Sequence, residues 1–309
     1  MSNPTDEYIR IFYGEPLTVI SNCLRGFIRA PEEHELLIGD FANIEGRVLA
    51  WLAGEEWKLK AFRDFDAGTG PDMYKLAYSK SFGVPVDEIT KDQRMVGKVQ
   101  ELALGFGAGI GAFQTMARNM GVQVSDSRAE EIKQLWRDSH PRIVAYWYDL
   151  ERAVQDAVAH PGVKVPCRQT LFIVKGSFLF AKLPSGRMLT YPYPCLKAKE
   201  TPWGEMKEQL HYWHVDGLTN KWVEVSSYGG KISENLTQAT ARDILAAALT
   251  RLNASGFDIV LHCHDEAVVE QPLGQRSLAD FTNCMQESPR WAEGLPIAVE
   301  GFTSKRYRK

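Results

Sequence analysis

Apolar and polar positions follow two different periods along this chain of 309 residues. Leu36-Leu37-Ile38-Gly39 is an unbroken apolar run ending at Asp40, and Ile44, Val48, Leu49 and Leu52 then fall at helical spacing before Gly54, predicting strand, turn and helix. A helix is expected from about Asp72 to Phe82, stopped by Gly83-Val84-Pro85. The next starts near Asp92 and runs into Gly105-Phe106-Gly107-Ala108-Gly109, whose glycines end or loosen it. Ser127 and Glu130 read as the capping box of a further helix, which Pro141 breaks or restarts after His140. Between about 161 and 231 the pattern changes: Phe172-Ile173-Val174 and Phe178-Leu179-Phe180 recur between Pro- and Gly-rich turns, as in a β-rich insertion of hairpins. From Ser233 helical spacing returns, with Leu236, Ile244, Leu245, Ala248, Leu249 and Leu252 on one stripe and Gly256 as its stop. Two apolar runs, Ile259-Val260-Leu261-His262-Cys263 and Ala267-Val268-Val269, then flank His264-Asp265-Glu266, placing three polar residues at a hairpin tip.

At 44% hydrophobic residues the chain can bury a substantial core, and no internal repeat or low-complexity linker divides it. No apolar run approaches the roughly 18 residues of a membrane helix, and the polar opening Met1-Ser2-Asn3-Pro4-Thr5-Asp6-Glu7 has no signal-peptide core, so a cytoplasmic setting is expected. The five cysteines are odd in number and lack a C-x-x-C pair, which points to reduced thiols rather than a disulfide framework or a structural zinc site. A net charge of −3 sits awkwardly with nucleic-acid binding, so any positive surface must be local. Basic residues do gather at Lys75, Lys80, Lys91, Arg94 and Lys98 and in the tail Lys305-Arg306-Tyr307-Arg308-Lys309.

The candidate chemistry lies in three segments. Asp40 and Asp265 each end an apolar strand, and two carboxylates are what a pair of Mg²⁺ ions about 3.5–4 Å apart needs for phosphoryl transfer. An acid at a strand end can equally cap the following helix. Arg94, Lys98, Leu102 and Phe106 are spaced by four, and each step drifts only about 40° around a helix, so cations and apolar groups share one curved face suited to a nucleotide. A transition-metal site built from His262, Cys263 and His264 is the weaker alternative, because adjacent strand positions point to opposite faces.

Asp40 with Ile44-Glu45-Gly46-Arg47-Val48-Leu49-Ala50, the run Arg94-Met95-Val96-Gly97-Lys98 with Glu101-Leu102-Ala103-Leu104-Gly105-Phe106-Gly107, and His264-Asp265-Glu266 together resemble the motifs of family A DNA polymerases, particularly the phage type. The resemblance implies that Asp40 and Asp265 bind two Mg²⁺ ions, with Mn²⁺ as a substitute and the Phe41 carbonyl helping. It implies that Lys98 and Arg94 hold the triphosphate, that Glu45 beside Asn43 excludes a ribose 2′-hydroxyl, and that His264 sits near the primer end. Leu102 stands where the family usually has Phe or Tyr, Phe106 where it has Tyr, and Tyr74 of Asp72-Met73-Tyr74 where it has His; these three are carried as nucleotide contacts. Leu183-Pro184-Ser185-Gly186-Arg187 is similar to the family's template-binding hairpin, and Tyr228-Gly229-Gly230-Lys231 with Gln238 to its minor-groove helix, so Arg187, Gln238 and Arg47 are carried as DNA contacts.

The fold class expected from the resemblance is α+β: a right-hand polymerase palm (1–53 and 232–309) with inserted helical fingers and a β-rich hairpin insertion (54–231), without thumb or exonuclease. The expected function is DNA-templated addition of deoxynucleotides to a primer 3′ end, with primer-template DNA and dNTPs as partners. A second chain supplying thumb or exonuclease is expected too, as in a split phage polymerase acting in the host cytoplasm. The alternatives are a single-subunit RNA polymerase-like enzyme, against which Glu45 and Glu266 speak, and a non-catalytic DNA-binding subunit, which would be expected to lose a carboxylate or a cation.

Overall fold

The computed structural model describes residues 6–200, 204 and 206–308; the opening residues 1–5 and Lys309 of the basic tail lie outside them. In chain order, helices α1 (Asp6–Tyr13) and α2 (Pro16–Cys23) precede strand β1 (His34–Phe41). Helices α3 (Ile44–Ala53), α4 (Glu56–Asp66), α5 (Met73–Phe82), α6 (Lys91–Leu104), α7 (Ile110–Asn119), α8 (Asp126–Ser139) and α9 (Pro141–Ala159) follow. Then come β2 (Val165–Cys167), β3 (Thr170–Lys175), β4 (Phe178–Lys182), β5 (Met188–Pro192), β6 (Cys195–Glu200), β7 (Met206–Val215) and β8 (Trp222–Ser227). The chain closes with α10 (Gly229–Ala254), β9 (Asp258–Cys263), β10 (Glu266–Pro272), α11 (Leu278–Gln286) and β11 (Val299–Ser304). Two compact units result: one holds the residues up to Ala42, Ile244–Glu287 and those from Ile297 onward, the other Asn43–Asp243 and Ser288–Pro296.

The first unit is built on an antiparallel sheet in the order β11-β1-β10-β9. Its central strand β1 is covered on both faces, which is why Leu36-Leu37-Ile38 reads as a continuous apolar run rather than an alternating one. On one face Leu36 and Ile38 join Ala30, Val268 and Tyr307 in a buried cluster. On the other, Gly39 admits α11: a Cβ at this position would lie 2.7 Å from the Phe281 ring and 2.8 Å from the Met285 sulfur. Leu37 and Ile38 are wholly buried, worth about 1.5–3 kcal/mol each.

The second unit holds α3 to α9, β2 to β8 and the first part of α10. Gly54 ends α3 in the left-handed conformation at φ +65, and Pro141 opens α9 directly after His140 ends α8, both as the pattern predicts. Asp72 caps α5, accepting from the Tyr74 and Lys75 amides at 3.1 and 3.0 Å, so that helix begins one residue later than its expected start. Thr90 and Gln93 form a capping box for α6. The predicted box at Ser127 and Glu130 is corrected: Ser125 caps α8 by accepting from the Arg128 amide at 3.3 Å, and Ser127 lies inside the helix. The β-rich insertion is two antiparallel sheets, β2-β3-β4-β5 and β6-β7-β8. Among the described residues no helix is long and apolar enough to cross a membrane.

Candidate active site

In the sheet unit, Cys263 pairs with Glu266, which leaves His264-Asp265 as a two-residue tip between β9 and β10. Glu266 is therefore the first residue of β10 rather than part of the tip. His264 makes the reversal at φ +53, a conformation uncommon for residues other than glycine. The Phe41 N–H donates to the Asp265 carbonyl at 3.1 Å, tying the tip to the end of β1. Asp40 lies within β1, directly opposite Glu266 on β10 and Glu300 on β11. Asn43, not Asp40, occupies the cap position of α3, so the capping alternative for Asp40 does not hold. Asp40 and Asp265 are half-buried and Glu266 is buried. The Tyr307 hydroxyl donates to Glu266 Oε1. Burial, and then the Glu266 carboxylate, push the Tyr307 phenol up to about 12, so it keeps its proton.

Among the described residues no three His, Cys, Asp or Glu side chains gather into a metal cage. Two half-buried carboxylates on segments joined by a main-chain bond nevertheless fit a hard cation that keeps several waters and takes further oxygens from a phosphate, the habit of Mg²⁺.

In the second unit, α5 and α6 bring Tyr74, Arg94 and Lys98 together. Gly97 makes this contact: a Cβ there would stand 2.0 Å from the Tyr74 carbonyl oxygen, so only glycine lets the helices approach so closely. The Arg94 guanidinium lies 5.1 Å and the Lys98 ammonium 5.9 Å from the Tyr74 ring centre. Asp72 holds Arg94 with two bonds of 3.1 and 2.8 Å, a partner that the sequence pattern did not single out. Leu102 is 39% exposed on the same helix, and Phe106 is half-buried just past its end.

A buried network anchors α6 from behind. Glu101 pairs with Lys58 of α4, accepts from the Trp136 indole at 3.3 Å and has His140 Nε2 at 3.5 Å, while the His140 ring stacks on Trp136. Burial alone would raise the Glu101 pKa, but Lys58 and His140 outweigh it and hold it at about 2. Burial and then the Lys58 charge lower the pKa of His140, leaving it neutral at pH 7. Neither Lys58 nor His140 carried a signal in the sequence, since their partners lie on other helices.

Glu45 lies in the first turn of α3 with the Gln238 side chain of α10 close enough to its carboxyl to lower its pKa, which brings two predicted residues of this unit together. Enclosure of its carboxyl raises its pKa, Gln238 opposes the rise, and the charge of Glu234 adds to it. Asn43 stands at φ +49 before α3. Arg187 bonds Asp243 at 2.6 Å and the Ala239 carbonyl at 2.7 Å, fastening the β4–β5 turn to α10 while staying 44% exposed. Arg47, expected as a DNA contact, is 1% exposed, grips both Asp66 oxygens at 2.6 and 2.7 Å and lies over the Phe62 ring, an arrangement that braces α3 on α4.

The family model for DNA polymerase family A matches residues 18–168. The DNA polymerase of Bacillus phage SP02 is 41% identical, the alignment covering 98% of this chain and 46% of that protein. DNA polymerase I of Pseudomonas aeruginosa is 28% identical over 78% of this chain and 21% of its own length. The chain thus spans less than half the length of these curated relatives. A solved structure titled as the POL domain of Pol1 from M. smegmatis in complex with DNA primer-template and dNTP covers 93% of this chain and 42% of its own, with TM-score 0.58 and 18% identity, a likeness of fold. Taken with the strand-end aspartates and the Arg94–Lys98 helix, these matches place the chain in DNA polymerase family A.

Proposed function

We propose that the chain is the palm and fingers portion of a DNA-directed DNA polymerase, adding deoxynucleotides to a primer 3′ end on a DNA template. The observation that carries this reading is the union of Asp40 and Asp265 at adjacent strand ends, tied by the 3.1 Å bond from the Phe41 amide to the Asp265 carbonyl. When bound by these carboxylates and the Phe41 carbonyl, two Mg²⁺ ions, or Mn²⁺ in their place, would activate the primer 3′-hydroxyl and neutralise charge on the reacting phosphates.

The chain's own groups do the rest. Arg94, oriented by Asp72, holds the outer phosphates, and Lys98 faces the α-phosphate and the departing pyrophosphate, where its ammonium gains most as negative charge builds. Tyr74, Leu102 and Phe106 pack on the sugar and base. Glu45, beside Gln238, bars a 2′-hydroxyl. Gln238, Arg187 and His264 meet the primer-template. The apolar side chains of α1 and α2, with Ile11 69% and Leu17 83% exposed, support a covering partner, and a second chain carrying thumb or exonuclease parts is the one we assign to it.

A primer-extension assay with and without Mg²⁺ tests the reading. Asp40→Asn and Asp265→Asn should each lower extension by roughly 10²–10³-fold or more with an unchanged melting profile. Near-normal turnover in either variant would overturn the site.

A further inference from the structure

The segment after β11 returns beneath the carboxylates of the sheet unit. Tyr307 is 4% exposed; its N–H donates to the Ile28 carbonyl at 2.9 Å, and its ring lies 5.3 Å from the Arg25 guanidinium. Its hydroxyl reaches Glu266, itself only 2% exposed. Glu266 stands opposite Asp40 in the strand register, and such cross-strand neighbours have Cβ atoms about 4.5–5.5 Å apart. Two acids so placed can address the same cation. A buried carboxylate also demands either a donor or a cation, and here Tyr307 supplies the donor from within the cluster of Ala30, Leu36, Ile38 and Val268.

We propose that Tyr307 is a positioning residue: its hydroxyl draws the Glu266 carboxyl back into the core of the sheet and keeps the cation site to Asp40 and Asp265. This rests on the metal-dependent reading above. With Glu266 withdrawn, the free chain holds the cation more loosely, and tight binding waits for the phosphate oxygens of an incoming nucleotide. Loading of metal is thereby coupled to loading of substrate.

The test is direct binding of Mn²⁺ to the full chain without DNA or nucleotide, read from the paramagnetic resonance of the unbound ion. Tyr307→Phe keeps the ring and removes only the donor, so it should free Glu266 and tighten Mn²⁺ binding by about tenfold, the scale on which outer-sphere partners act. Adding Glu266→Gln should return the affinity to that of the parent chain, and Glu266→Gln alone should leave it unchanged. Loss of a merely structural contact would not tighten binding. Unchanged or weaker Mn²⁺ binding in Tyr307→Phe overturns the proposal, as does tightening that survives Glu266→Gln or a marked loss in Glu266→Gln alone. Asp40→Asn separates the two claims: undiminished Mn²⁺ binding and extension in that variant would overturn the active site itself, whereas their loss upholds the site whatever Tyr307 does.

Discussion

In the proposed function, Lys98 and Glu45 are the residues at which chemistry and selection divide. Lys98 lies half-buried over the Tyr74 ring, and in the proposed reaction it meets a charge that grows. Lys98→Ala should therefore lower the rate of nucleotide addition by roughly 10²-fold while changing primer-template affinity little. Single-turnover rates set beside equilibrium DNA binding check this, and equal losses in both would reassign Lys98 to DNA positioning. The proposed role of Glu45 is selection, and Glu45→Ala should raise ribonucleotide use relative to deoxyribonucleotide use by removing the obstacle to a 2′-hydroxyl. The ratio of the two incorporation efficiencies is the measurement, and an unchanged ratio would move the sugar gate elsewhere.

At the scale of elements, α6 is held from both sides. Gly97 presses it against α5, and the Glu101–Lys58 pair fastens its buried face to α4. A depressed carboxyl pKa stabilises the fold above the unfolded value and loses that contribution as the carboxylate is protonated in the folded state. For Glu101 the window runs from 4.5 down to about 2. Glu101→Gln leaves Lys58 buried without its counter-charge and should cost about 3–5 kcal/mol. Chemical denaturation at pH 7 and near pH 2 checks both statements: the stability gap between parent and variant should narrow at the lower pH, and a constant gap would mean that the pair carries little weight. This network was not legible beforehand because Lys58, Glu101 and His140 sit on three separate stretches of sequence, and nothing in any one of them marks it as half of a buried pair.

For the whole molecule, a net charge of −3 leaves DNA affinity to local cationic faces. Arg94 and Arg187 are already engaged by Asp72 and Asp243. The chain alone should accordingly bind primer-template weakly, lose affinity as salt rises, and extend primers by short increments. Titration against primer-template across a salt series decides this. Tight, salt-tolerant binding with long products and no added chain would show that a partner on α1 and α2 is dispensable.

The sequence by itself determined most of the elements and nominated the residues proposed for their chemistry. Strand β1, helices α3, α5 and α6 and the β9–β10 hairpin were legible because apolar period, glycine stops and proline breaks are local properties of the chain. Asp40, Asp265, Arg94 and Lys98 could be nominated as site residues because their motifs are contiguous. Tertiary structure alone decided which polar groups are spoken for. It buried Arg47 on Asp66, gave Arg187 to Asp243, made Glu266 a strand residue tethered to Tyr307, and placed Gly97 where a single methyl would collide with Tyr74. Each of these depends on pairing between residues 19 or more apart in the chain, and the cost of burying a charge is settled only by the partner that folding brings to it.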